Sequence, residues 1–339
     1  MLSSTNKNFN IKLIAGRSNA QLAEKIANHL GINLTIVNII SFPNREIEVK
    51  IKESIRNNHV FILQTGISDS SLSTNDYMFE TLLLCDACKR SDAKSISVIL
   101  PYFPYSRSDK KDSPRTSISA SVVMNLLACY NPRRIITMDL HAGQITGFTK
   151  EPVDNLYAIN LHIEHLSKTI FNNLSLEQIN DKFILVTPDA GGIKRITSYA
   201  QKLKMNHLIM NKQRDYTKVS TVTNTLIVGN VALLKDKIPI IIDDIFDSCG
   251  TIISASELLV KSGSKPVIAI ATHGIFSSNA IEKINNCQSI EKVIVTNTLP
   301  QNSQLQNTKK LEEIDVSHLL ATVVKCILTG DSIADLFKD

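Results

Sequence analysis

Long apolar runs are missing from this chain. The longest extend about eight residues at most, whereas a helix that crosses a bilayer needs roughly 20, so no membrane association is expected. An apolar leader core is missing as well. The first ten residues are polar, Asn6, Lys7, Asn8 and Asn10 among them, which leaves no secretion signal to read and makes a cytoplasmic location the expectation. Neither sign of charge dominates: 37 Lys and Arg stand against 32 Asp and Glu, a net +5. That excess is too small to indicate a nucleic-acid binder, though it suits a protein whose pockets receive polyanions. Cysteine pairs with metal-site spacing are equally scarce. Of six cysteines, Cys85 and Cys88 form the one C-x-x-C, inside a helical pattern and without a second pair elsewhere, so they are expected to pack a helix rather than hold zinc.

What the chain does have is length and alternation. Its 339 residues, 43% hydrophobic and 20% charged, suffice for two cores. Strand-like apolar runs fall at 11–15, 34–40, 60–64, 96–100 and 135–138, then at 183–186, 208–210, 225–228, 240–242, 267–272 and 293–295. Helix-period segments at 19–30, 75–89, 118–128, 161–172, 192–203, 252–261 and 277–284 separate many of them. Strand alternating with helix predicts βαβ units, hence an α/β fold of two similar domains with mostly parallel sheets flanked by helices. No low-complexity linker marks the join. The expected division is 9–156, 157–317 and a C-terminal helix and tail, 318–339, that packs back on the first domain.

The most informative stretch is 238–251. Ile240, Ile241 and Ile242 lead into Asp243, Asp244 and Asp247, then Ser248, Cys249, Gly250 and Thr251, and then the helix pattern Ile252, Ala255, Leu258, Leu259. This reads as strand, loop, helix. Such a turn offers backbone N–H groups and the positive end of a helix to a phosphate, and Gly250 lets the backbone come close. Asp243 and Asp244 can accept hydrogen bonds from vicinal sugar hydroxyls, or share a divalent cation with a polyphosphate. A ribose carrying a 5-phosphate satisfies both halves of the site, and a capped, acidic βα turn is the plain alternative.

Other strand ends carry unusual residues, and in open α/β sheets ligands sit at those carboxyl ends. After 96–100 comes a proline-bearing loop with Arg107, Lys110 and Lys111 against Asp109 and Asp112; it can clamp a polyphosphate or form a solvated, ion-paired loop. After 135–138 come Asp139 and His141 beside Gly143, able to hold Mg²⁺ or simply to tie a loop. After 183–186 come Asp189, Gly191 and Gly192, an anion nest in which Asp189 can ligate a phosphate-bound metal and the glycines admit close approach to the backbone. Lys212 and Arg214 follow 208–210 two apart, so on an extended segment both cations share a face and can converge on developing phosphoryl charge.

Taken together, these strings resemble the ribose-phosphate pyrophosphokinase family along nearly the whole chain. The match includes Phe42, Asn44 and Glu46, the 103–112 loop, Asp139-Leu-His141, Asp154-Asn155, Asp189-Ala-Gly-Gly192, Lys212-Gln-Arg214, the Asp243–Thr251 loop and Thr272-His-Gly-Ile-Phe276. The Asp-Asp loop alone is shared with phosphoribosyltransferases; its combination with the 103–112 loop and Asp-Leu-His is specific to the synthetase. The resemblance implies a phosphoribosyltransferase-like fold and transfer of the β,γ-diphosphoryl group of Mg-ATP to the C1 hydroxyl of ribose 5-phosphate. Carried over by position, Phe42, Asn44, Glu46, Arg107, Ser108, Asp109, Lys110, Lys111, Asp112 and His141 would bind ATP. Asp189, Gly191, Gly192, Asp243, Asp244, Asp247, Ser248, Cys249, Gly250 and Thr251 would bind ribose 5-phosphate. His141 and Asp189 would hold Mg²⁺, with Asp139 and Asp154 as outer members, and Lys212, Arg214 and His141 would act in catalysis. Arg56 and Ser332 would form a regulatory phosphate site, in an enzyme that assembles as a homohexamer of dimers and answers to phosphate and ADP.

The sequence departs from the family pattern at several places. Ser108 stands where Gln is usual, Ser113-Pro114 replaces a Lys-Ser, Ser117 replaces Pro, Lys150 replaces an acid, the segment between Asp215 and Thr225 is longer, and Ala334 replaces a regulatory Ser. Ordinary Mg-ATP chemistry with altered regulation is the expectation. Two rivals follow from the same residues: a phosphoribosyltransferase, which needs no second domain with an ATP loop, and a non-catalytic regulatory subunit associated with the synthetase, which the retained Lys212, Arg214, His141 and aspartates oppose.

Overall fold

A computed structural model describes residues 10–68, 71–214 and 222–337, with the backbone alone for 212–214, 222–225, 335 and 337. The chain divides into two compact units. One holds the residues up to Tyr157 together with Thr298–Pro300 and Val316–Asp339, and the other holds Ala158–Asn297 and Gln301–Asp315.

The first unit runs β1 (Ile11–Ala15), α1 (Ala20–Leu30), β2 (Val37–Ser41), β3 (Ile47–Ile51), β4 (His59–Leu63), α2 (Thr74–Arg90), β5 (Ser95–Leu100), α3 (Ser119–Ala128), β6 (Arg134–Met138) and β7 (Val153–Leu156). Its sheet is five-stranded and parallel, in the order β1-β4-β5-β6-β7. Strands covered on both faces need apolar side chains on both, and Val60–Leu63 and Ile96–Leu100 are buried throughout. The 34–40 run behaves otherwise. It becomes β2 of an antiparallel hairpin with β3, outside the main sheet, because its alternation places only Val37 and Ile39, with Val49 and Ile51, against the core. Helix α1 starts on the Asn19 side chain and stops at Gly31, whose φ of 68° suits the left-handed turn. Helix α2 opens with a Ser73–Asp76 capping box.

The second unit runs α4 (Ile159–Thr169), α5 (Leu176–Lys182), β8 (Phe183–Thr187), α6 (Ile193–Leu203), β9 (His207–Arg214), β10 (Val222–Val228), β11 (Ile238–Phe246), α7 (Gly250–Lys261), β12 (Val267–Gly274), α8 (Ala280–Asn286), β13 (Ile290–Thr296), α9 (Asn302–Gln306) and β14 (Leu311–Ile314). The chain then returns to the first unit with α10 (Ser317–Thr329), where Ser317 Oγ lies 3.1 Å from His29 Nε2 and Lys325 Nζ donates to the His29 carbonyl. Seven strands form one sheet in the order β10-β9-β8-β11-β12-β13-β14, parallel except for the β9–β10 pair. Alternate residues serve two layers. Ile184, Val186 and Ile241 pack with Ile252, Ala255 and Leu259 of α7, while Leu185, Ile240 and Ile242 pack with Leu166 of α4 and Ile196 and Tyr199 of α6. Helices α6 and α7 therefore cover opposite faces of the same strands.

Candidate functional site

Adjacency of strands decides which loops meet. In the second unit β8 lies beside β11, ending at the pair Ile241–Val186, so the loops after both strands emerge side by side at the carboxyl edge. The strand itself runs further than its sequence suggests: β11 continues to Phe246, and Asp243 pairs with Ala271 of β12 inside the sheet. The two carboxylates thus sit on a strand end rather than in the loop. Asp244 is buried, and its N–H donates to Asp243 Oδ1 at 2.9 Å. Arg195, from the first turn of α6, reaches across the β8 edge and places Nη1 3.6 Å from Asp243 Oδ1 and 3.5 Å from Asp244 Oδ1. Burial, then the neighbouring Asp244 charge, push the Asp243 carboxyl well above the usual carboxylate range, while Arg195 pulls it back. Behind α6, His162 Nδ1 lies 2.6 Å from the Tyr199 hydroxyl, and burial drives its pKa down to about 3, leaving it neutral.

Beyond the carboxylates the chain turns through Cys249 at φ 59°, a left-handed conformation that L side chains seldom adopt, and enters α7, where Cys249 as the N-cap residue makes no side-chain cap hydrogen bond. The start of such a 12-residue helix turns backbone N–H groups and positive dipole toward an anion. A Cβ on Gly250 would meet nothing within 4 Å, so the space over that turn is open. Cys249 is itself inert, since burial raises its thiol to about 12.

The neighbouring glycines are a different matter. Asp189 Oδ1 accepts from the Gly192 N–H at 3.2 Å, and a Cβ on Gly192 would lie 2.0 Å from Thr187 Oγ1. Gly192 is buried and tight because Thr187 fills the space beside it, and its N–H is directed at Asp189. Gly191 is exposed, and its Cβ would stand 3.1 Å from Asp189 Oδ1. The cations Lys212 and Arg214 lie on the last residues of β9, where the side chains fall outside the described residues.

In the first unit β5 lies beside β6, ending at Leu100–Thr137, so the 101–112 and 139–148 loops also run together. Met138 N–H donates to the Pro101 carbonyl at 3.1 Å, and Gln144 Nε2 donates to Asp109 Oδ2 at 2.6 Å. Asp109 is buried and ties the two loops together. Ser108 is likewise spent on the start of α3: its Oγ accepts from Ser119 N–H at 3.3 Å. Arg107, Lys110, Lys111 and Asp112 are exposed, Lys110 pairing with Asp112 at 3.5 Å. His141 is exposed, and Asp139, half-buried, takes φ 38° at the strand end. Phe42, Asn44 and Glu46 all fall on the exposed turn of the β2–β3 hairpin, closed by Phe42 N–H to the Glu46 carbonyl at 2.8 Å and Glu46 N–H to Asn44 Oδ1 at 3.1 Å.

Two expected site residues have partners of their own in the structure. Both oxygens of Asp154 accept from Arg134 Nη1, at 2.8 and 2.9 Å, a pairing with which a metal would have to compete. Ser332 lines an open cavity of about 470 Å³ together with Arg133, Arg134, Asp154 and Asp331, and Arg56 is not on its wall. Arg56 is exposed and pairs with Asp92 at 3.3 Å. The sequence sets Arg195 on a first helical turn but assigns it no role. Its tie to Asp243 and Asp244 depends on β8 lying next to β11, which no local pattern announces.

Two α/β units with charged strand ends and, in the second, a helix start beside paired carboxylates are the architecture of a protein that handles phosphorylated small molecules. Comparison narrows the class. Residues 11–130 match the family model for the N-terminal domain of ribose phosphate pyrophosphokinase, and residues 217–338 match that of the phosphoribosyl synthetase-associated domain. The chain is 42% identical over 328 residues to ribose-phosphate pyrophosphokinase 2 of Schizosaccharomyces pombe, covering 97% of each chain. It is also 42% identical over 328 residues to ribose-phosphate pyrophosphokinase 2 of Saccharomyces cerevisiae, covering 96% of this chain and 97% of that one. The crystal structure of phosphoribosylpyrophosphate synthetase from Mycobacterium smegmatis superposes with a TM-score of 0.84 at 33% identity, over 95% of this chain and 99% of that one. The chain belongs to the ribose-phosphate pyrophosphokinase family.

Proposed function

We propose that the chain transfers the β,γ-diphosphoryl group of ATP to the C1 hydroxyl of ribose 5-phosphate, giving phosphoribosyl diphosphate and AMP, with the sugar phosphate held by the second unit. One observation carries the reading: the start of α7, with open space over Gly250, closely follows the Asp243–Asp244 pair. The N-terminus of α7 takes the 5-phosphate, and the carboxylates accept the vicinal hydroxyls, which fixes the anomeric oxygen. Asp247, Ser248 and Thr251 complete that loop. On the first unit, the hairpin turn Phe42–Glu46 and the exposed cations Arg107, Lys110 and Lys111 serve the nucleotide.

Phosphoryl-type transfer needs alignment and charge neutralisation more than a protein nucleophile. Lys212 and Arg214, on β9, meet the charge that shifts toward the leaving AMP. Mg²⁺ is the proposed cofactor, and it would neutralise the triphosphate when bound. The resemblance assigns it to His141 and Asp189, with Asp139 and Asp154 as outer members; among the described residues no cluster of three or more His, Cys, Asp or Glu forms a ready-made cage. An ion that retains most of its waters and takes one or two carboxylates plus substrate phosphates suits such scattered donors, and Asp154 is held by an arginine, Arg134. Assembly as a homohexamer of dimers, cytoplasmic location and a response to phosphate or ADP belong to the same proposal and rest on the resemblance alone. No helix among the described residues is long and apolar enough to cross a membrane.

The test is AMP release by the purified protein from ATP, ribose 5-phosphate and Mg²⁺, with and without inorganic phosphate, alongside its mass in solution. Turnover that requires all three reactants, with a KM for ribose 5-phosphate raised by Asp244→Asn, supports the reading. Absence of AMP with restored activity in a partner would favour the regulatory subunit instead.

A further inference from the structure

Arg195 stands at a point that the family motifs leave unexplained. It is on the first turn of α6, a helix covering one face of the sheet, while the phosphate-binding helix α7 covers the other. Its guanidinium is largely withdrawn from solvent, with 22% of the side chain exposed, and one nitrogen bridges both carboxylates at 3.5 and 3.6 Å. Compare Arg134 and Asp154, where the contacts close to 2.8 and 2.9 Å and both carboxylate oxygens are used. The looser bridge by Arg195 sets one cation beside two adjacent acids without closing on either, and a carboxylate can accept from more than one donor. Without a bridging cation, neighbouring carboxylates repel and turn apart or lose a preferred rotamer, and a diol that must meet both at once is the ligand most sensitive to that loss.

We propose that Arg195 is a positioning residue for the sugar, holding Asp243 and Asp244 as a fixed pair against which the vicinal hydroxyls of ribose 5-phosphate align, without itself touching the substrate. The inference rests on the placement of ribose 5-phosphate at Asp243–Thr251. It assigns Arg195 to sugar recognition and not to ATP binding or to the chemical step.

The experiment is steady-state AMP release by the full-length protein with Mg-ATP, varying each substrate in turn, for wild type, Arg195→Gln, Arg195→Lys, Asp244→Asn and the two Arg195/Asp244 double variants. A charge-assisted contact is worth roughly 10- to 100-fold in affinity, and that is the expected rise in KM for ribose 5-phosphate in Arg195→Gln, with the KM for ATP unchanged. Arg195→Lys, which keeps the charge, restores most of the loss. Because Arg195 acts through the carboxylates, adding either Arg195 change to Asp244→Asn costs little more than Asp244→Asn alone. If Arg195→Gln fails to fold, Arg195→Met, which keeps the stem without the charge, replaces it in the cycle: effects that multiply with those of Asp244→Asn overturn the proposal, as does an equal rise in both KM values. An Asp244→Asn protein with an unaltered KM for ribose 5-phosphate would overturn the sugar site itself, whatever Arg195 does.

Discussion

Replacing Gly192 with alanine places a methyl group 2.0 Å from Thr187 Oγ1 and 3.2 Å from its Cβ. Thr187 cannot swing away cheaply, because it is fully buried and its hydroxyl donates to the Asp189 carbonyl at 3.1 Å. Overpacking of this kind costs about 1–3 kcal/mol, and loss of the hydroxyl contact adds about 1 kcal/mol. A total of about 2–4 kcal/mol lowers the transition of a unit this size by roughly 5–15 °C. Differential scanning calorimetry of the purified protein reads this directly. Thr187→Ala in the same chain removes the obstructing atoms, so the double variant should recover at least half of the loss. Gly250→Ala makes the opposite case. Its methyl meets nothing within 4 Å, so stability holds within about 1 kcal/mol, while the phosphate approach narrows and KM for ribose 5-phosphate climbs by about tenfold. A Gly192→Ala protein that melts with the wild type would refute the assignment of that glycine to packing.

Three further outcomes are expected. Asp243 binds a proton more tightly folded than unfolded, so its contribution to stability is full below the unfolded pKa near 3.8 and is lost as pH rises through the raised folded value; Asp243→Asn should therefore be the more stable protein at neutral pH, with an advantage that fades toward pH 4 in urea titrations, while its KM for ribose 5-phosphate rises. Asp154→Asn breaks the half-buried pair with Arg134 and should cost about 0.5–1 kcal/mol, leaving the Mg²⁺ dependence of turnover where it was; a shifted Mg²⁺ titration would assign that carboxylate to the metal. With burial raising the Cys88 and Cys249 thiols to about 12, roughly one in 10⁴ is ionised at pH 8, so a thiol reagent should label exposed Cys129 first and the buried pair only as fast as the protein opens, by mass spectrometry of the time course.

Much of the fold could be read because parallel strands buried on both faces write continuous apolar runs, as at Phe183–Thr187 and Val267–Gly274. What escaped were the strands that lack that signature. Val153–Leu156 and Leu311–Ile314 are four residues each, apolar only at their ends, and each is the last strand of its sheet. With one neighbour and half the burial, they need no alternation. Ile47–Ile51 does alternate, but its pairing with Val37–Ser41 lies outside both large sheets. The site divided in the same way. Acidic and glycine motifs announce themselves because they sit next to each other in the chain. The roles of Asp109, Ser108, Asp154 and Arg195 do not, since each is decided by a partner at least 11 residues away. A carboxylate or hydroxyl in a binding motif reads the same whether it faces a ligand or a neighbouring loop.

The first unit is not complete until the end of the chain is available. Helix α10 docks on α1 through contacts 288 and 296 residues apart in sequence, whereas the second unit needs nothing beyond Asp315. On the ribosome the later-made portion can therefore mature first, and the earlier one waits with the α10-facing side of α1 uncovered. A fragment cut after β14 would strand the opening half without its closing helix, and a nascent-chain proteolysis series should find the N-terminal segment protected only once α10 has emerged.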